Sequence, residues 1–116
     1  MIKVLITERA KSDISAIYQY SFDQFGLNTA EEYLNKIEFG ISLLSQQSEL
    51  LLYKPNISES FKLFKVGVHW LVCDRVGDTI YILTLKHTSM NLIERLNDLR
   101  PTLKRELLTL RNRLKS

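Results

Sequence analysis

Residues 68–87 constrain this chain more than any other stretch. Two apolar, β-branched runs, 68–76 and 79–86, flank Gly77-Asp78, a dipeptide suited to a two-residue hairpin turn. Centring the turn there pairs Val76 with Thr79, Cys73 with Ile82 and His69 with Lys86. Side chains alternate along a strand, so this register predicts that His69, Leu71, Cys73 and Arg75 share a face with Ile80, Ile82, Thr84 and Lys86. The opposite face then holds Val68, Trp70, Val72, Tyr81, Leu83 and Leu85, and ends at His87. Both faces are apolar near their centres, and large exposed apolar patches are uncommon on monomers. Such a hairpin needs a cover on each side.

The first cover is legible upstream. Residues 2–6 read as a short strand, and Thr7 is placed to cap a helix with Glu8 at its positive end. Ala10, Ile14, Ile17, Tyr18, Phe22 and Phe25 recur at helical spacing, and Gly26 supplies a stop. Asn28 and Glu31 have capping-box spacing, and Ala30, Tyr33, Leu34, Ile37, Ile41 and Leu44 mark a second helix. The short connection makes the two an antiparallel helical hairpin. Residues 61–66 read as a further strand, broken from the next by Gly67.

The second cover has two candidates, a separate protein chain or the chain's own C-terminus. There Leu92, Leu96, Leu99, Leu103, Leu107, Leu110 and Leu114 follow helical spacing, with Pro101 expected to kink or restart the helix. Residues 86–116 also hold 8 of the 16 basic side chains against 3 of the 13 acidic ones. That concentration, with Pro101, favours an arm that is free or bound to a partner over one packed on its own sheet. Arg95, Arg100, Lys104, Arg105, Arg111, Arg113 and Lys115 mostly project away from the leucine stripe. The resulting fold class is α+β: an N-terminal strand, an antiparallel helical hairpin on a small, mainly antiparallel sheet, and a C-terminal helical extension. Residues 1–96 form the domain, and 97–116 are a basic amphipathic extension of it.

At 116 residues, 45% hydrophobic and 25% charged, the chain suits one globular domain. Cys73 is its single cysteine, which excludes an intramolecular disulfide and makes a cytoplasmic protein the simplest expectation. Residues 2–6 are too short for a signal peptide core, and no apolar run approaches the ~20 residues of a membrane span, so no membrane partner is expected. His69, Cys73 and His87 are the soft metal-ligand candidates, but the register above puts His87 on the other face, and no CxxC or HExxH spacing occurs. No metal site is expected. Nor is a cofactor, because GxGxxG and GxxxxGK[ST] are absent, as is the GxSxG nucleophile elbow. Basic groups at the sheet rim, Lys62, Lys65, His69, Arg75, Lys86 and His87, could hold an RNA phosphate while a histidine moves a proton. They could equally solubilise strand ends.

Three groups of residues carry a family resemblance. The first is Ala10-x-x-Asp13-Ile14-x-x-Ile17-x-x-Tyr20, followed by Gly26-x-x-x-Ala30-x-x-Tyr33. The second is Phe64-Lys65-Val66-Gly67-Val68-His69-Trp70-Leu71-Val72, and the third Ile80-Tyr81-Ile82-Leu83-x-Leu85-x-His87-x-x-Met90-Asn91. In this order, over about residues 2–96, they resemble the RelE/ParE superfamily of type II toxin–antitoxin toxins, and the last most resembles the ParE branch. The resemblance implies a cognate antitoxin as partner. It also implies one of two activities: ribosome-dependent mRNA cleavage in RelE-like members, or poisoning of DNA gyrase in ParE-like members.

Lys62 stands about where many relatives have Arg, which keeps charge but loses the bidentate fork. Thr88-Ser89 stand where the nucleases tend to place Arg, and Leu92-Ile93-Glu94 near a usual tyrosine. These departures favour gyrase as target, with nucleic acid met only indirectly, through gyrase–DNA or an antitoxin–operator complex, and with no catalytic residues. A nuclease would instead rely on Lys62, His69, Lys86 and His87, and a non-toxic antitoxin-binding module is the third alternative. Antitoxin contacts are expected at Tyr18, Phe22, Tyr33, Trp70 and Leu71, and target contacts at Lys62, Lys65, Arg75, His87, Met90 and Arg95.

Overall fold

The computed structural model describes residues 2–115. Strand β1 (Lys3–Ile6) leads into helix α1 (Glu8–Phe25), helix α2 (Leu27–Gln46) and a 3-10 turn at Ser48–Leu50. Strands β2 (Leu52–Tyr53), β3 (Lys62–Val66), β4 (His69–Val76) and β5 (Thr79–His87) follow, and helix α3 (Leu92–Lys115) ends the chain. The five strands lie in the order β1-β5-β4-β3-β2, with β1 parallel to β5 and every other pair antiparallel.

Local chemistry explains the joints. Thr7 Oγ1 accepts the Ala10 amide at 3.2 Å and donates to the Leu83 carbonyl at 3.1 Å, so one hydroxyl caps α1 and ties it to β5. Gly26 (φ 90) ends α1 and starts α2; its carbonyl accepts the Ala30 amide, so the cap is backbone and Asn28 lies inside the helix instead of capping it. Gly77 takes φ 63 in the expected turn between Val76 and Thr79. Strand β2 escaped the sequence reading because it is two residues long and exists only through its pairing with Lys62 and Leu63 of β3.

Both sheet faces are covered. On one, Ala10, Ile37 and Leu44 of the helical hairpin pack on Val66, Leu71, Cys73, Ile80, Ile82 and Leu85. Helix α2 lies so close to β3 that a Cβ on Gly40 would meet Val66 Cγ2 at 2.7 Å. On the other face, Leu92, Leu96, Leu103 and Leu107 of α3 bury Phe61, Leu63, Val72, Tyr81 and Leu83.

This corrects the expectation of a free or partner-bound arm. Four leucines, each contributing ~1.5–3 kcal/mol on full burial, outweigh the dispersal of cations around the helix. Pro101 does not break α3; it sits exposed within a continuous helix, with Leu96 and Leu103 buried on either side of it. The segment from residue 97 onward is therefore the continuation of a helix begun at Leu92. Only the last turns overhang the sheet, where Leu114 is 57% exposed. Arg9 grips Glu106 through two bonds of 2.7 and 3.0 Å, and Lys104, expected to project away, meets Asp74 at 2.8 Å, so two ion pairs fix the helix in azimuth.

Candidate partner-docking groove

The β4–β5 register departs from simple alternation at one point. Val76 to Cys73 pair as the turn dictates, but Val72 faces Thr84 and His69 faces His87, because an extra residue of β5 bulges between Val72 and Cys73. Asp13 of α1 holds the bulge: its carboxylate accepts the Thr84 hydroxyl and, at 3.1 Å, the Leu85 amide. With Thr7 on the Leu83 carbonyl, the start of α1 satisfies the polar groups that the bulge takes out of the ladder.

The consequence is a reversal of side. Leu85 and His87 turn toward the helical hairpin, and Lys86 toward the α3 face beside Trp70. His87 therefore shares a face with His69, contrary to the uninterrupted register, and the two rings meet edge to face with centroids 5.3 Å apart. The sheet therefore does not separate these two imidazoles. Cys73 is fully buried in the core, where desolvation pushes its thiol well above the usual range. Among the described residues no three His, Cys, Asp or Glu side chains cluster as metal ligands.

Tyr33 organises this end of the sheet. Its hydroxyl accepts the Val68 amide at 3.0 Å, lies 3.2 Å from the Val66 carbonyl as donor, and meets His69 Nδ1 at 2.7 Å. The tyrosine crosses directly over Gly67 (φ 57), where a Cβ would stand 2.7 Å from the Tyr33 hydroxyl. Burial pushes the Tyr33 phenol up and His69 down from their ordinary values, His87 adding to the depression of His69. His87 Nδ1 accepts the Ser89 amide at 3.0 Å, so the neutral ring carries its proton on Nε2.

Above these histidines opens a groove of about 680 Å³ between α1, α2 and the end of the sheet. Its walls include Ile17, Tyr20 and Phe25 of α1, and Tyr33 with Glu32 and Lys36 of α2. Tyr20 is 63% and Phe25 65% exposed, large apolar area for side chains flanking a concavity.

The structure sorts the expected contact residues unevenly. Tyr33 lines the groove, while exposed Phe22 lies on the same helix turn as its wall. Tyr18 bonds Glu31 through its hydroxyl at 3.1 Å, and that carboxylate raises the phenol above its ordinary value. Trp70 is half-buried on the α3 face, with Lys65 Nζ 5.9 Å from its ring centroid. Leu71 is fully buried beneath the hairpin and cannot touch a partner; alternation along β4 sends it inward. Tyr20 and Phe25, absent from that set, carry more exposed area than any member of it. Phe25 belongs to the apolar spacing of α1, and Tyr20 stands beside that stripe.

The basic residues divide as well. Lys65, Trp70 and Lys86 form a row across the α3 face, whereas Lys62, His69 and His87 lie on the hairpin face. Of the nuclease set Lys62, His69, Lys86 and His87, Lys86 thus faces away from the other three, and Lys62, opposite Cys73, stands four residues along β4 from His69, ~13 Å at strand rise. Arg75 lies six residues along β4 from His69, ~20 Å at strand rise, and is engaged with the Gly77 carbonyl and Ser48 Oγ. It cannot share one compact target surface with His87, Met90 and Arg95, which sit where β5 runs into α3.

Residues 4–92 match the family described as the ParE toxin of the type II toxin-antitoxin system, parDE. The chain is 27% identical to Toxin ParE1 of Caulobacter vibrioides over 86 residues, covering 74% of this chain and 88% of that one. It is 23% identical to Toxin ParE of Escherichia coli over 99 residues, 84% of this chain and 96% of that one. The fold matches a chain of the chromosomal ParDE TA system from P. aeruginosa with a TM-score of 0.66 at 19% identity, covering 75% of this chain and 96% of the other. The family match ends where α3 begins, so the helical hairpin and the strands β4 and β5 that form the groove all lie within it. The chain belongs to the ParE toxin family of type II toxin–antitoxin systems.

Proposed function

We propose that this chain is a cytoplasmic toxin that inhibits DNA gyrase and is neutralised by a cognate antitoxin seated in the groove between α1 and α2. The groove carries this reading: a concavity of about 680 Å³ flanked by exposed Tyr20 and Phe25, in a family whose members work with antitoxins. An amphipathic antitoxin helix places apolar side chains against Tyr20, Phe25 and Tyr33. Strand β2 pairs only with Lys62 and Leu63, so the outer edge of Phe64–Val66 can accept an extended segment of the same partner. That segment orders on binding.

Gyrase is favoured over RNA because, of the four side chains of the nuclease alternative, Lys86 lies on the opposite face of the sheet and Lys62 stands four residues along the β3–β4 ladder from His69. The row Lys65–Trp70–Lys86, with Arg95 at the start of α3, is the surface we assign to the target. Expression of the chain should arrest growth with filamentation while protein synthesis continues, and co-expression of the antitoxin should restore growth. Phe25→Asp should block that rescue. Rapid loss of ribosome-bound messenger on expression would move the assignment to the nuclease.

A further inference from the structure

We infer that docking in this groove is proton-linked through His69: a partner covering the Tyr33–His69–His87 floor selects the neutral imidazole, and acidification weakens the complex. The inference rests on the docking reading above and concerns its regulation. His69 is half-buried at the groove floor, fixed at Nδ1 by Tyr33 and packed edge-on against His87. When protonated, His69 donates its Nδ1–H as a hydrogen bond to Tyr33 Oη, whose own O–H donates to the Val66 carbonyl, so the ring can charge without leaving its place. The free chain therefore takes up the proton with His69 and Tyr33 in their observed places. What changes on docking is the solvent.

The surroundings offer little to hold that charge. On α2 the exposed Glu32 and Lys36 line the groove with opposite signs, and Tyr33 is neutral below its raised range. Helix α1 contributes the phenol of Tyr20. From β5 only His87 faces the ring, because Lys86 is turned to the α3 side, as is Lys65 of β3. Among the described residues neither imidazole is hydrogen-bonded to or ion-paired with a carboxylate. Burial has already lowered His69 from its ordinary 6.5. Apolar partner atoms would remove the remaining water and lower it further. A site that loses proton affinity when a partner binds must bind that partner more weakly once protonated. Affinity is therefore constant above the midpoint of the free chain and falls as pH drops through it.

The chain has two histidines, so its imidazole NMR resonances give two separate titrations. These are to be followed in the free full-length chain and in its complex with purified cognate antitoxin, with calorimetric affinities from pH 7.5 to 5.0 in two buffers of different ionisation enthalpy. We expect the His69 midpoint to fall on binding, proton release on association below about pH 6.5, and weakening that approaches ~tenfold per pH unit. His69→Asn, which keeps a polar atom near Tyr33, should abolish the slope. Proton release by the wild-type chain supplies the same readout should that variant fold poorly. Affinity independent of pH, an equal slope in His69→Asn, or a slope lost only in His87→Gln would overturn the linkage while leaving the docking site standing. No association at pH 7.5 would remove the docking reading and the linkage with it.

Discussion

Leu103→Ala tests whether α3 is part of the fold or an appendage. Leu103 has no exposed surface and packs with Phe61, Leu63, Val72, Tyr81 and Leu83 beneath a helix otherwise held at its flanks by Arg9–Glu106 and Lys104–Asp74. Those two ion pairs are partly solvated and contribute at most ~1 kcal/mol each, so the leucines carry the docking. Truncating a fully buried leucine costs about 2–5 kcal/mol, transfer and cavity terms together. At roughly 4 °C per kcal/mol for a domain of this size, the melting temperature should fall by about 8–20 °C. Leu114→Ala, at a position already 57% exposed, should stay within ~0.5 kcal/mol of the parent. Thermal and urea unfolding followed by circular dichroism give both values. If Leu103→Ala melts with the parent protein, α3 is not docked and the reasoning fails.

Other sites make separate demands. Asp13→Ala leaves the Thr84 hydroxyl and Leu85 amide without their acceptor, which should cost about 1–3 kcal/mol in urea unfolding; it should also broaden the His87 resonance as the bulge loosens. Gly67→Ala forces a Cβ against Tyr33 at a positive φ and should destabilise by at least ~1 kcal/mol; an unchanged unfolding midpoint would refute the contact. Cys73, buried and with its thiol pushed upward, should resist a thiol-reactive disulfide reagent until the chain unfolds. The share of stability that depends on neutral His69 should be complete above 6.5 and decline as pH falls through its lowered folded value, a slope His69→Asn should remove.

Much of this architecture was legible because it rests on local rules. Thr7, Gly26 and the apolar spacings of α1 and α2 announce the helical hairpin, and Gly77-Asp78 announces the β4–β5 turn. The site was harder to read, because it depends on contacts between distant residues. The side on which His87 emerges is set by a bulge whose polar groups are satisfied by Asp13 and Thr7, more than 70 residues away in sequence. Periodicity alone places that histidine on the wrong face. The docking of α3 is hidden for a different reason: Pro101 and the basic residues are conspicuous in sequence, whereas the matching apolar face at Leu63, Val72 and Leu83 is assembled only by the sheet. Gly40 gave no pattern, yet its missing side chain lets α2 approach Val66.

Whether this chain is an antitoxin-controlled gyrase poison can be read from purified components. The full-length chain is incubated with gyrase, ATP and supercoiled plasmid, with and without equimolar antitoxin, and the DNA is resolved after protein digestion. The chain alone should accumulate cleaved linear DNA, and prior binding of antitoxin should suppress it. Undisturbed supercoiling with no cleaved product, together with messenger cleavage in a parallel translation reaction, would contradict it.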